Sequence, residues 1–181
     1  HIHEPGRQWD QALREFCLGK RQKPVWGIAG ADFHGENADD QIDVYQTIVW
    51  VKQKNTADIL QALSSGRCYS VLKLGESRLS LDYFAVKGAT NGAEKAVMGE
   101  EIKLSEFPLV NAFLNTKDKK PTAVSISLIR DGRVIKTFEG ETPIDIRYID
   151  RDKFRGKTFY RLSVTGGMGR LISNPIFVVK R

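Results

Sequence analysis

The sequence contains no run of 18 consecutive apolar residues, the length a helix needs to cross a bilayer. Its first ten residues lack the charged-then-apolar pattern of a secretory leader. A membrane span and a leader are therefore not expected, and a cytoplasmic location is. Cysteine is scarce: Cys17 and Cys68 are too few for a disulfide framework, and each lies on or beside an apolar helical stretch where a buried free thiol is the expected state. The chain opens His-Ile-His without an initiator methionine, so its start is expected to be a processed or proteolytic end. Nothing in the composition points to disorder, because 181 residues at 41% hydrophobic and 28% charged suit one large or two small globular domains.

Acidic residues fall short in the second half. Residues 1–74 hold nine Lys and Arg against nine Asp and Glu, whereas residues 75–181 hold nineteen against thirteen, so the whole net charge of +6 belongs there. Such an excess can steer an anionic partner, and a basic module that recognises an anionic ligand is the alternative reading of this half. Its cations are interleaved with acids, Lys117, Lys119 and Lys120 with Asp118, and Arg151, Lys153, Arg155 and Lys157 with Asp152. That favours a solvated surface, and nucleic acid is not an expected partner.

Two helices and two buried strands are legible in residues 1–75. Trp9, Ala12, Leu13, Phe16 and Cys17 share one face of a helix, and Gly19 supplies a left-handed stop. Residues 25–31 (Val-Trp-Gly-Ile-Ala-Gly-Ala) and 47–51 (Thr-Ile-Val-Trp-Val) are short runs apolar on both faces, as expected of strands buried in a parallel sheet. The acidic, turn-rich stretch 35–46 reads as a loop. A second helix is expected over 56–65, with Asn55 or Thr56 as N-cap, Asp58 against the dipole, Ile59, Leu60 and Leu63 as apolar members and Gly66 as terminator. This is α/β grammar, yet two strands cannot complete a sheet covered on both faces, so further strands must come from elsewhere.

After Leu74 the pattern turns to short alternating segments, which predicts an antiparallel β-sandwich, immunoglobulin-like, over residues 76–181. Leu79, Leu81 and Tyr83, then Ile144, Ile146 and Tyr148, then Tyr160, Leu162 and Val164 each place one face inward, with intervening polar residues such as Arg161 outward. Arg130-Asp131-Gly132 reads as a type I turn with Gly132 left-handed, Asn91-Gly92 as another turn, and Pro175 as a mark of an edge strand or bulge. A boundary is expected near residues 74–77, without a flexible linker.

Residues 30–35, Gly-Ala-Asp-Phe-His-Gly, carry the chemistry. In extended backbone, i and i+2 point to one side, so Asp32 and His34 converge just beyond a strand's carboxyl end, where α/β barrels build their sites. Carboxylate oxygen with imidazole nitrogen suits Zn, Mn or Fe(II) better than Ca. An Asp that caps a turn beside a satisfied His is the plainer alternative.

The ordered set of apolar strand, Gly-Ala-Asp-Phe-His, polar loop, Thr-Ile-Val-Trp-Val, Ala-Asp-Ile-Leu-Gln-Ala-Leu and Ser-Gly-Arg-Cys-Tyr-Ser resembles the C-terminal end of a PHP (polymerase and histidinol phosphatase) domain. The tail, with Leu128-Ile-Arg-Asp-Gly, Phe159-Tyr-Arg-Leu and Ser173-Asn-Pro-Ile-Phe-Val, resembles the β-domain appended to some members, and the likeness spans roughly residues 9–179. The resemblance implies a distorted (β/α) barrel that binds divalent Mn, Zn or Fe and hydrolyses phosphoesters. It implies that Asp32 and His34 are the last metal ligands, and that the others lie in N-terminal barrel segments before residue 1. The isolated chain is then expected to hold metal weakly and to be inactive. His1-Ile-His3 copies the family's opening motif, but only the 28 residues from Glu4 to Ala31 separate it from Asp32, too few for a barrel; both are read as a chain end. Arg67 offers a bidentate fork for a substrate phosphate, though a helix-end role is the simpler one. Asp39, Asp40 and Asp43 are read as solvated.

Overall fold

The computed structural model describes residues 1–31, 43–90 and 93–180. Its elements in chain order are α1 (Gln8–Cys17), β1 (Tyr45–Val49), α2 (Thr56–Ser64), β2 (Cys68–Lys73), β3 (Leu79–Gly88), β4 (Lys95–Val97), β5 (Glu101–Leu104), β6 (Pro108–Thr116), β7 (Ala123–Arg130), β8 (Arg133–Glu141), β9 (Ile144–Ile149), β10 (Lys157–Gly166), β11 (Gly169–Ser173) and β12 (Ile176–Lys180). The strands form an eight-stranded and a four-stranded sheet, the smaller in the order β4-β3-β6-β9. The two sheets face each other across one core, to which Phe84, Val110 and Leu114 come from the smaller and Ile126, Leu162 and Val164 from the larger. The chain is therefore a mostly antiparallel β-sandwich.

In the larger sheet β10 is the hub. Its first half pairs with β12 and its second half with β11, while β7 takes most of the opposite edge. Outward from these lie β2 and β1 beyond β11, the parallel β5 beyond β12, and β8 beyond β7.

Residues 1–75 do not begin a parallel sheet. β1 and β2 pair antiparallel, and β2 continues antiparallel onto β11, so the larger sheet runs across residues 74–77. The strand expected at 47–51 forms at Tyr45–Val49. Residues 25–31 form no strand, because no backbone ladder runs beside them, and Ile28 is left 66% exposed. Helix α2 is capped as its sequence indicates, Asn55 Oδ1 accepting the Asp58 N–H at 2.8 Å. Only Ala62 of α2 is buried, and Ile59 and Leu60 stay exposed, because few residues of the described chain lie against that face.

Alternation along the strands accounts for most of the sandwich core, with two departures. The ladder between β3 and β6 shifts register between Leu81 and Tyr83, so Phe84 and Val86 take the inward positions and Tyr83 turns outward instead of inward. On β10 both faces are covered: α1 lies on the outer side, where Trp9 and Leu13 pack with Phe159 and Phe177, and Arg161 is fully buried beneath it. The β7–β8 hairpin turns on Asp131 at φ 50° and Gly132 at φ 80°. Two left-handed residues make a type I′ turn, whose twist suits a two-residue hairpin loop, in place of the type I expected. Pro175 falls in the break between β11 and β12, and β12 has neighbours on both sides, β10 and β5. Asn91-Gly92 lies outside the described residues. Among the described residues no helix is long and apolar enough to cross a membrane.

Candidate functional site

A buried ion pair fixes the N-terminal residues on the sandwich. Arg161 Nε and Nη2 donate to Asp10 Oδ1 and Oδ2 at 2.6 and 2.7 Å, and the guanidinium lies 5.0 Å from the Trp9 ring. Nη2 also donates to the His3 carbonyl at 3.0 Å, which ties His1 to His3 down beside β10. The His1 and His3 rings stack at 5.4 Å. His3 Nε2 stands 3.7 Å from the Glu4 carboxylate, which is 3.5 Å from Arg170. Burial, which disfavours the imidazolium, holds the His3 pKa below its ordinary 6.5; Glu4 works against this and Arg170 adds to it.

Residues 25–29 are held by side chains at every second position. The Val25 carbonyl accepts from Trp9 Nε1 at 2.8 Å. Gly27 donates its N–H to Asn174 Oδ1 at 2.7 Å and accepts from Asn174 Nδ2 at 3.0 Å. Ala29 donates to Thr47 Oγ1 at 2.9 Å, and the Thr47 hydroxyl donates back to the Ala29 carbonyl at 3.2 Å. Gly27 admits no larger residue easily, since a Cβ there would come within 3.0 Å of the Trp9 ring. The backbone groups of Trp26, Ile28 and Gly30 make no hydrogen bond among the described residues. Among the described residues, one edge of this segment is thus satisfied and the other has no partner, the alternation of a strand with a neighbour on one side only.

Between this segment, the turn at His1 to His3 and strands β1, β2 and β11 lies a cavity of about 680 Å³, with His1, His3, Trp26, Ile28, Tyr45 and Arg170 in its walls. The expected ligands Asp32 and His34 lie outside the described residues, as do Asp39 and Asp40; Asp43 is paired with Lys73. Arg67 is not among the cavity's lining residues. Its Nε is buried without a hydrogen-bond partner among the described residues, and its carbonyl accepts the Trp50 N–H at 2.9 Å. Among the described residues no group of three or more His, Cys, Asp or Glu could hold a metal ion. Both cysteines are free, and burial pushes Cys17 up to about 12 and Cys68 upward, so neither is a ready thiolate nucleophile. No protein-family model, no curated protein and no solved structure matches the chain.

Proposed function

We propose that the chain is the closing segment of a PHP-type metal-dependent phosphoesterase, in which Asp32 and His34 are ligands of a Mn, Zn or Fe ion and the remaining barrel strands come from polypeptide outside residues 1–181. The observation that supports this reading is the one-sided bonding of residues 25–29. A segment whose alternate carbonyls and amides are caught along one edge, with Ile28 exposed and the other edge without partners among the described residues, is suited to receive a neighbouring strand. In this reading that neighbour is the rest of the barrel, and it packs against the apolar cavity wall.

In this reading the backbone stays extended past Ala31, which would bring Asp32 and His34 to one side of the chain. A divalent ion there would neutralise charge on the phosphoryl oxygens and activate a water. This chain's own share is positional: Asn174, Thr47 and Trp9 fix the approach to Asp32. Two ligands fall short of the three protein ligands a catalytic ion normally has. The 181-residue chain therefore binds Mn or Zn weakly and does not hydrolyse phosphoesters.

The test is p-nitrophenyl phosphate hydrolysis, with Mn, by the 181-residue chain and by the chain extended through its upstream coding sequence. Activity only in the extended protein, abolished by Asp32→Ala or His34→Ala, supports the reading. Turnover by the 181 residues alone, or activity in the extended protein that survives both substitutions, contradicts it.

A further inference from the structure

We propose that the outer face of the four-stranded sheet is a binding site for a neutral, polyhydroxylated ring compound, a saccharide. The proposal rests on the sandwich alone and is independent of the metal site. The sheet's inner face is core, while its outer face aligns three cross-strand rows: Tyr83 with Phe113 and Asp145, Ala85 with Asn111 and Arg147, and Lys87 with Leu109 and Ile149. A groove of about 620 Å³ crosses the first two rows and reaches Asp82 and Lys87.

Three features set this groove apart from an ordinary wet sheet face. The register shift after Leu81 brings Tyr83 outward, directly opposite Phe113; re-aiming a side chain in this way is what bulges do. The neighbour of Asn111 in the middle row is the small Ala85, which keeps that row low between the aromatic pair and Lys87. Asn111 lines the groove, and its Oδ1 is buried with no hydrogen-bond partner among the described residues, an unmet acceptor that a ligand hydroxyl can satisfy once the side chain turns toward the groove.

The charges select the occupant. Asp82 and Asp145 balance Lys87 and Arg147 in the groove lining, while Lys95 reaches over the Tyr83 ring, 5.1 Å from its centroid, so a polyanion would meet two carboxylates as it approached the cations. A purely apolar partner would strip water from all four charges and give nothing back. A sugar ring matches both parts: its C–H face lies on aromatic rings, and its hydroxyls donate to the carboxylates and accept from the guanidinium and ammonium.

The experiment is retention of the full chain at 0.5 M NaCl on immobilised mixed-linkage β-glucan, xylan, galactomannan and glycogen, with heparin as a polyanion control. Retention is expected on at least one neutral polysaccharide, and affinity should fall at least tenfold in Tyr83→Ala and in Asp145→Ala. Asp145 is exposed, so that variant tests the groove even if Tyr83→Ala misfolds, and circular dichroism checks both folds. Retention on none of the four overturns the proposal. So does retention on heparin alone, or retention that both variants keep.

Discussion

Asp10 and Arg161, 151 residues apart, are joined by two hydrogen bonds with neither side chain exposed. This pair is the bolt between α1 and the sandwich. Removing one partner leaves the other charge buried and alone, which costs about 3–5 kcal/mol. Asp10→Asn and Arg161→Met should each lower the free energy of unfolding by that order in guanidinium titrations. The double replacement Asp10→Leu with Arg161→Met should recover most of the loss. Single variants within experimental error of the parent would show that α1 is not secured this way.

Hydrogen exchange reads the one-sided bonding of residues 25–29 amide by amide. Gly27 and Ala29 donate to Asn174 and Thr47, so their amides should exchange slowly, while those of Ile28 and Gly30, without partners among the described residues, should exchange fast. Thr47→Val should speed Ala29 selectively and leave Gly27 slow. Uniform rates along the segment would mean that it is not held as a half-paired strand.

The strands of the sandwich were legible because alternation states which face is inward and needs no partner to be named. Ile144, Ile146 and Tyr148 all pack on the core as their spacing indicates. Alternation could not show the shift after Leu81, which depends on pairing with β6. Nor could it show that Arg161 is buried, since that requires α1 to lie on β10. The apolar run at residues 25–31 resembled a buried parallel strand because hydrophobicity records what a segment can pack against, not what is present to pack on it. Asn174 and Thr47, which hold that segment, act across 147 and 18 residues and carry no local pattern. Of the expected site residues, Arg67 stands away from the cavity lining, whereas His1 and His3, read as a chain end, line it.

His3 offers a pH test. Its folded pKa lies below 6.5, with burial the leading cause, so the unfolded chain takes up its proton first as pH falls. The contribution of His3 to stability is therefore full above about pH 6.5 and declines as pH drops from there through the folded pKa. An NMR titration should place the midpoint below 6.5, raised by Arg170→Ala and lowered further by Glu4→Gln. Movement in the opposite directions would show that these charges do not face the ring.

The sandwich holds a second buried network. Tyr160 donates its hydroxyl to Asp150 Oδ2 at 2.7 Å, and Arg130 donates to the same oxygen. Tyr160→Phe removes a hydrogen bond to a buried carboxylate and should cost about 1.5–3 kcal/mol. Burial, with Asp150 beside it, pushes the Tyr160 pKa well above 10.0. The folded state thus keeps this proton after the unfolded chain has lost it, and the contribution of Tyr160 is lost as pH rises above 10. Alkaline denaturant titrations should show a steeper loss of stability in the parent than in Tyr160→Phe, and equal slopes would remove Tyr160 as the cause.

Weak binding of Mn(II) gives the most direct test of the proposed metal corner, because the ion broadens NMR signals of nearby amides without requiring turnover. Added to the 181-residue chain at substoichiometric levels, Mn(II) should broaden Gly30 and Ala31 first, and Asp32→Ala or His34→Ala should abolish that broadening. Broadening centred on carboxylates elsewhere, such as Asp118, or broadening at Gly30 that survives both substitutions, would contradict the reading of Asp32 and His34 as metal ligands.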